Sequence, residues 1–123
     1  MQKELRRDSY RFTKPLDERQ KESALLLKEE EECLPLILEK APTEKYLPPL
    51  DRKKFLLVRS STLGQLHSTI RYRLQLHQDQ SFFLLVDGQH MPNLSSTIEQ
   101  LYHEFKDEDG FLYLEYASQE VFG

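Results

Sequence analysis

The sequence lacks several features on which whole classes of protein depend. Its 123 residues include one cysteine, so no disulfide can form within the chain, and a reducing cytosolic compartment is indicated. The longest purely apolar runs, 34–38 and 82–86, fall far short of the ~20 residues that a membrane-spanning helix requires. Residues 1–7 lack the apolar stretch of a secretory signal. Any attachment to a membrane is therefore expected to be covalent or peripheral.

The usual signatures of catalysis and metal binding are also missing. Only four glycines are present, none in a phosphate-cradling loop, and no nucleophile with a neighbouring base can be identified. The four histidines have no ligand spacing, and 107–109 lacks the alternating ligands of a calcium loop. Cys33 precedes an apolar strand, so we expect a buried, unreactive thiol; a thiol or hydrolytic enzyme would need a catalytic neighbour in space. We expect no enzyme, no cofactor and no metal.

What is present fits one small domain with a well-solvated surface, at 38% hydrophobic and 31% charged residues. The net charge is only −4, but residues 1–15 carry five basic side chains against two acidic ones, whereas 29–32 is a block of four glutamates. Such a basic segment either meets anionic partners, such as tubulin tails or lipid headgroups, or is simply a solvated end. We expect a monomer and no nucleic-acid partner.

The first 32 residues are predicted to form a pair of helices. Asp17 can cap a helix that runs to about Glu31, and a shorter helix before it is expected to end at Pro15. Residues spaced near the helical period give the longer helix a stripe for packing: Leu16, Gln20, Ala24, Leu25, Leu26 and Leu27.

From residue 34 onward, strands alternate with helices. The predicted order is strand 34–39, strand 53–59, helix 62–74, strand 81–86, helix 96–105 and strand 110–116. Asp87-Gly88 is a turn pair that closes the third strand, and Ser95 or Ser96 is expected to cap the second of these helices. In the last strand, odd-numbered and even-numbered apolar residues point to opposite faces, so both faces are buried. The order ββαβαβ around a two-faced sheet is that of a ubiquitin-like roll.

Several longer motifs strengthen this interpretation. They are the segments 46–57, 73–76, 82–86, 106–113 and 116–123. In this order they resemble the ubiquitin-like autophagy modifiers, a family that contains the GABARAP proteins and light chain three of the microtubule-associated proteins. The tail Ala117-Ser-Gln-Glu120 is more similar to the light-chain-three branch. The resemblance covers 34–123 closely and 16–33 loosely.

The resemblance implies an α+β fold, a ubiquitin-like β-grasp roll with a mixed sheet and an additional N-terminal helical pair. The helical pair would cover the sheet face that ubiquitin leaves bare. The domain limits expected are 1–32 for the helical extension, 33–117 for the ubiquitin-like domain and 118–123 for a flexible tail that ends in Gly123.

The resemblance also implies a peptide-binding site along the second strand, which lies at a sheet edge and can accept an extended peptide as an extra strand. The family binds aromatic-x-x-aliphatic (LIR) motifs there. The implied aromatic pocket is lined by Glu22, Leu26, Pro35, Ile37, Lys54, Leu56 and Phe111. The implied aliphatic pocket is lined by Phe55, Leu57, Val58, Leu66, Thr69, Ile70 and Arg73. Contacts to acidic residues that flank the motif are implied for Arg11, Lys14 and Lys53.

The implied function is that of a modifier whose Gly123 is conjugated to phosphatidylethanolamine on autophagosomal membranes. The implied partners are cargo receptors and adaptors, activating and conjugating enzymes of the E1 and E2 type, a processing and delipidating cysteine protease, and tubulin. The implied location is the cytoplasm, and the autophagosome membrane after lipidation. The alternative is a ubiquitin-like binding module that is never lipidated. Leu57-Val58 replaces the family's usual valine-proline, and Tyr72 interrupts its arginine run, so partner preference is expected to differ.

Overall fold

The computed structural model describes residues 9–118 of the chain. Its elements are α1 (Tyr10–Thr13), α2 (Leu16–Glu29), β1 (Cys33–Lys40), β2 (Lys54–Val58), α3 (Leu63–Leu74), β3 (Phe82–Val86), α4 (Ile98–Phe105) and β4 (Leu112–Ser118). The predicted helical pair and the order ββαβαβ are confirmed. Gly123 and most of the predicted tail lie outside the described residues, as do the basic residues before Ser9. Between residues 9 and 118, no helix is both long and apolar enough to span a membrane.

The four strands form one mixed sheet in the order β2-β1-β4-β3. β1 pairs in antiparallel fashion with β2 and in parallel fashion with β4, and β3 is antiparallel to β4. The two central strands therefore belong to the two ends of the domain, since Leu36 of β1 lies opposite Leu112 of β4. The strand predicted to bind peptides, β2, lies at an edge, as expected.

Two clusters of buried side chains occupy the two faces of the sheet. The larger cluster includes Leu112, Leu114 and Tyr116 of β4 together with the inward faces of α3 and α4. The smaller cluster consists of Tyr10, Ile37, Phe111 and Tyr113, with Leu26 packed against it. The N-terminal helices thus cover the second face, which confirms the alternation predicted for the last strand.

Two local predictions fare differently. Asp87 and Gly88 have φ values of 53° and 71°, and Val86 bridges to His90, so the predicted turn pair is confirmed. The predicted cap of α4 is wrong, because Thr97 rather than Ser95 or Ser96 caps the helix. The Thr97 side chain accepts a hydrogen bond from the Gln100 N–H, and the Gln100 side chain bonds back to the Thr97 N–H. This reciprocal capping box satisfies two backbone donors, which a serine one or two positions earlier could not do.

The predictions for α2 need two corrections. The helix begins at Leu16 directly after Pro15, so Asp17 lies in the first turn and caps nothing. Its buried face is polar: Arg19 and Ser23 are buried, whereas Leu25 is 54% exposed. Gln20 and Ala24, which were assigned to the packing stripe, are exposed as well. The helix is therefore held by hydrogen bonds as much as by an apolar stripe.

Those hydrogen bonds converge on Asp109, whose side chain is fully buried. Its Oδ2 accepts bonds from Arg19 Nη1 at 2.7 Å and from the Tyr113 hydroxyl at 2.5 Å, and its Oδ1 accepts the N–H of Phe111 at 2.8 Å. Burial and the neighbouring Asp109 carboxylate raise the pKa of Tyr113, so the phenol stays protonated and keeps donating. One carboxylate thus joins α2 to the start of β4.

Gly110 lies in the loop between α4 and β4, at a close contact with α2. Its φ is +89°, and a Cβ built at this position would lie 2.3 Å from Ser23 Oγ, which itself donates to the Asp109 carbonyl at 2.5 Å. A side chain would therefore suffer both an unfavourable backbone conformation and a collision with α2.

We expect Gly110→Ala to lower the free energy of unfolding by about 2–3 kcal/mol, since strained backbone positions cost 1–3 kcal/mol each and the clash adds to this. Urea titration followed by circular dichroism measures the loss. In a Gly110→Ala/Ser23→Ala double variant, removal of the Ser23 hydroxyl should relieve part of the clash but none of the backbone strain. Only part of the lost free energy of unfolding should therefore be regained. An unchanged denaturation midpoint for Gly110→Ala would contradict the close approach of α2.

Candidate peptide-binding edge

The outer side of β2 offers main-chain groups to a partner. Leu38 N–H donates to the Lys53 carbonyl at 2.8 Å, and Arg59 N–H donates to the Glu32 carbonyl at 2.9 Å, so odd-numbered residues from 53 to 59 face β1. In an antiparallel pair the residues between them face the other way. Among residues 9–118, nothing bonds to the outward N–H and C=O groups of Lys54 and Leu56.

The open edge is short. At its end, the Val58 carbonyl is already used, because it accepts the N–H of Ser61 at 3.0 Å and the Ser61 hydroxyl at 2.6 Å. The edge can therefore form ladder bonds with a segment of only a few residues. A peptide that binds here must gain the rest of its affinity from side-chain contacts.

The residues assigned to the aromatic pocket meet between α2 and β2. Ile37 and Phe111 form its floor but are fully buried, so this floor is covered in the structure without peptide. Leu26 packs against them, and Pro35 lies opposite Leu56 in the strand register. Leu56 is 38% exposed. Glu22 and Lys54 form an ion pair that joins α2 to β2 above this floor.

Tyr10 belongs to the same site but was missed in the sequence. Its hydroxyl bonds to the Glu22 carboxylate, and its ring packs edge-on against Phe111 with centroids 5.5 Å apart. Lys14 and Lys54 lie 5.4 and 5.3 Å from the centre of the Tyr10 ring. A helix of four residues has no readable periodicity, so no pattern separated buried Tyr10 from Phe12, which is 48% exposed.

The residues assigned to the aliphatic pocket are only partly brought together. The side chains that share the larger core are Phe55, Leu57, Leu66 and Ile70. Thr69 and Arg73 are exposed on α3. Val58 is separated from this group: it is 50% exposed, and strand alternation places it on the face of Leu56, opposite Phe55 and Leu57.

The positive charges at the two pockets already have partners within the protein. Lys14 Nζ lies 3.6 Å from Glu22, and Lys53 Nζ lies 3.2 Å from Glu39. At the other pocket, the guanidinium groups of Arg52 and Arg73 stand 4.7 and 5.6 Å from the centre of the Phe55 ring. Arg52 was not among the predicted site residues, although it adjoins Lys53 and Lys54 in the sequence.

Arg11 is not part of this cluster. Its guanidinium lies 3.0 Å from Asp107 and 3.8 Å from Asp87, and it stacks 4.1 Å from the Tyr113 ring. These partners belong to the β3 and β4 half of the sheet. Neighbouring residues on a helix are rotated by about 100°. Tyr10 and Arg11 therefore point toward different strands, which explains why the acidic-flank set divides.

The remaining predictions concern Cys33 and metals. Cys33 is partly exposed at the start of β1, so the expectation of a buried thiol needs correction. The strand is covered only from Leu34 onward, where both faces are packed. Within residues 9–118 no three potential metal ligands come together.

A mixed sheet with parallel central strands, crossed by a helix and left open at β2, is the architecture of a ubiquitin-like protein. The family model described as "Autophagy protein Atg8 ubiquitin like" matches residues 18–123. This chain belongs to that family.

Individual relatives agree with this. Microtubule-associated protein 1 light chain 3 gamma of Homo sapiens is 40% identical over 93% of this chain and 78% of its own length. Protein lgg-2 of Caenorhabditis elegans is also 40% identical, over 94% of this chain and 88% of its own. The crystal structure of Trypanosoma brucei ATG8 superposes with a TM-score of 0.83 at 32% identity, over 90% of this chain and 94% of that one.

Membership of the family confirms three predictions. The fold is ubiquitin-like, the protein is an autophagy protein of the modifier and binding-protein class and not an enzyme, and its nearness to the light-chain-three branch agrees with the human relative. Autophagy-related protein 8A of Oryza sativa subsp. indica is 36% identical, against 40% for the human light chain.

Proposed function

We propose that this protein is a ubiquitin-like modifier that is joined through Gly123 to phosphatidylethanolamine on autophagosomal membranes. There it recruits cargo receptors and adaptors that carry LIR motifs. The single observation that supports the recruiting role best is the open outer edge of β2, in a chain that belongs to the Atg8 family. The same protein would move between the cytoplasm and the autophagosome membrane as the lipid is attached and removed.

In the proposed complex, the peptide adds a strand to β2 and bonds to the outward main-chain groups of Lys54 and Leu56. Its aromatic side chain would pack beside Tyr10 on the floor made by Ile37 and Phe111, once the side chains that cover this floor move aside. Burying an aromatic side chain removes 150–250 Å² from water, which makes it the main anchor. Its aliphatic side chain would lie beside Leu57 and the α3 face of the larger core.

The ion pair between Lys54 and Glu22 would adjust when an acidic peptide arrives. Lys54 and Lys14 both converge on the Glu22 carboxylate, so one negative charge faces two positive ones. A carboxylate on the peptide would therefore find a net positive charge at the rim of the aromatic pocket. Exposed charges of this kind mostly set the association rate and the specificity.

Leu56 gives the cleanest test of this site. Phe55 is only 5% exposed and packs in the larger core, so truncating it would weaken the fold along with the pocket. We expect Leu56→Ala to weaken a peptide with acidic residues before Trp-x-x-Leu by about 1–2 kcal/mol, or roughly tenfold, as measured by calorimetry. Leu25→Ala on the exposed face of α2 is the matched control and should bind normally. Equal affinities for the two variants would place the peptide elsewhere.

The proposed conjugation follows the chemistry of ubiquitin-like modifiers. The Gly123 carboxylate reacts with ATP to give an acyl adenylate and pyrophosphate, and an enzyme cysteine displaces AMP to form a thioester. The amine of phosphatidylethanolamine then attacks the thioester carbonyl, so that an amide forms and the thiol is released. A cysteine protease would later hydrolyse this amide and return the protein to solution.

The second candidate is a binding module that is never lipidated and acts on microtubules. It draws support from the name of the human relative, a microtubule-associated protein, and from the basic residues of segment 1–15. Incubation with activating and conjugating enzymes, ATP and phosphatidylethanolamine liposomes distinguishes the two. A lipid-shifted band supports the modifier, whereas tubulin binding without such a band supports the module.

A further inference from the structure

The end of β4 is held by a buried carboxylate from a distant loop. Glu44 lies between β1 and β2 and is only 5% exposed. Its Oε1 accepts the backbone N–H of Ser118 at 2.6 Å. Its Oε2 accepts the N–H groups of Tyr46 and Leu47 at 2.7 and 2.8 Å. One side chain thus joins a tight turn to the last residue of β4.

Glu44 takes the place of a missing strand. β1 ends at Lys40, which lies opposite Tyr116, and the Ala41 N–H still donates to the Tyr116 carbonyl at 2.9 Å. Two residues later the chain of β1 has turned away, and the buried N–H of Ser118 would have no strand on its β1 side, although Phe82 of β3 lies opposite Ser118 on the other side. A buried unpaired N–H is costly, and the Glu44 carboxylate supplies the acceptor.

The hydrogen bond from the Ser118 N–H is charge-assisted, because its acceptor is an ionised carboxylate. Burial alone would raise the pKa of Glu44, but the hydrogen bonds from Ser118 and from the turn lower it below its usual value. The side chain is therefore ionised at neutral pH. Hydrogen bonds to a charged group are about twice as strong as those between neutral groups.

We propose that Glu44 is a positioning residue for the conjugation of Gly123, an inference that rests on the function proposed above. Only residues 119–123 separate Ser118 from the reacting carboxylate, and five extended residues span at most about 18 Å. The place where Ser118 is fixed therefore limits where Gly123 can reach. If β4 frayed at its end, the chain would gain freedom that an enzyme must remove on binding.

Glu44→Gln separates the bond to Ser118 from the bonds within the turn. A carboxylate offers two oxygens to three N–H donors, whereas an amide offers one oxygen and an NH₂ group. When the amide oxygen faces Tyr46 and Leu47, two bonds are kept and the NH₂ group meets the Ser118 N–H. The substitution therefore keeps the turn and releases the strand end. Glu104→Gln, at an exposed position of α4, is the matched control.

The first measurement is amide hydrogen exchange by nuclear magnetic resonance, which needs no enzyme. We expect the Ser118 amide to exchange about tenfold faster in Glu44→Gln. The second is conjugation to liposomes of phosphatidylethanolamine and phosphatidylcholine at varied protein concentration. We expect the KM for this protein to rise about fivefold with kcat within about twofold, because ordering the chain costs binding and not chemistry. LIR-peptide affinity should stay unchanged.

Each result is decisive. An unchanged amide exchange rate of Ser118 in Glu44→Gln would overturn the claim that Glu44 stabilises the end of β4. Faster exchange with an unchanged KM would overturn its role in positioning while leaving the proposed function intact. If the wild-type protein forms no conjugate at all, the proposed function fails, and the positioning role fails with it, whatever the exchange data show. A loss of peptide affinity in Glu44→Gln would indicate general unfolding and also count against the proposal.

Discussion

Gly123→Ala is expected to lose conjugation to phosphatidylethanolamine by about a hundredfold or more, because small misplacements of a reacting group cost that much. The carboxylate must pass through enzyme channels that leave no room for a Cβ, and glycine alone lacks one. The readout is the lipid-shifted band with activating and conjugating enzymes, ATP and liposomes, together with puncta in cells.

Two controls make this result specific. Peptide binding by Gly123→Ala should equal that of the wild type, since residue 123 is not among the residues of β2 or of the two pockets. Gln119→Ala changes the same tail but keeps the terminal glycine and should still be conjugated. If Gly123→Ala gives the same lipid-shifted band and puncta as the wild type, the modifier proposal fails, and the non-lipidated module replaces it.

Asp109→Ala is expected to cause the largest loss of stability, about 3–5 kcal/mol, because it removes the nearer carboxylate of a buried ion pair together with two further hydrogen bonds. Tyr113 and the Phe111 N–H would lose this acceptor. Arg19 would keep the Lys14 carbonyl and the more distant Asp107 carboxylate, 3.9 Å away. Guanidinium unfolding followed by tyrosine fluorescence measures the change.

The matched control is Asp51→Ala, which removes an exposed aspartate 3.4 Å from Arg73. Exposed ion pairs contribute about 0–1 kcal/mol, so this variant should be close to the wild type. Equal losses for the two variants would mean that the Asp109 cluster contributes no more than a surface contact. Hydrogen exchange of α2 amides should rise in Asp109→Ala before that of β4, because the cluster fastens the helix to the sheet.

The sequence predicted the fold well because the sheet and α3 follow simple periodicity. Leu63, Leu66, Ile70 and Leu74 recur at helical spacing, and all four are buried. Period-two alternation in 111–116 likewise predicted which β4 residues face each core. Where a buried apolar face determines a helix or strand, the spacing of apolar residues in the sequence is sufficient to predict that element.

Prediction was weaker wherever polar groups determine the packing. The buried face of α2 is Arg19 and Ser23, whose partners lie about ninety residues away, and no local pattern announces such a pair. Nothing in the sequence near Glu44 distinguishes it from an ordinary loop glutamate, because its partner Ser118 is distant in the chain. Val58 remains a predicted contact of the aliphatic pocket, although the alternation of side chains along β2 places it on the face of Leu56.

The parallel pairing of β1 with β4 sets the order in which this protein can fold during synthesis. Leu36 and Leu112, which lie side by side at the sheet centre, are 76 positions apart in the chain. Such non-local contacts form slowly, and a chain emerges from the ribosome at only about 5–20 residues per second. The hairpin of β1 and β2 can form early, but β1 then has an unpaired edge for several seconds. Until β4 emerges, the nascent protein exposes an open edge of the strand that later lies at the centre of the sheet.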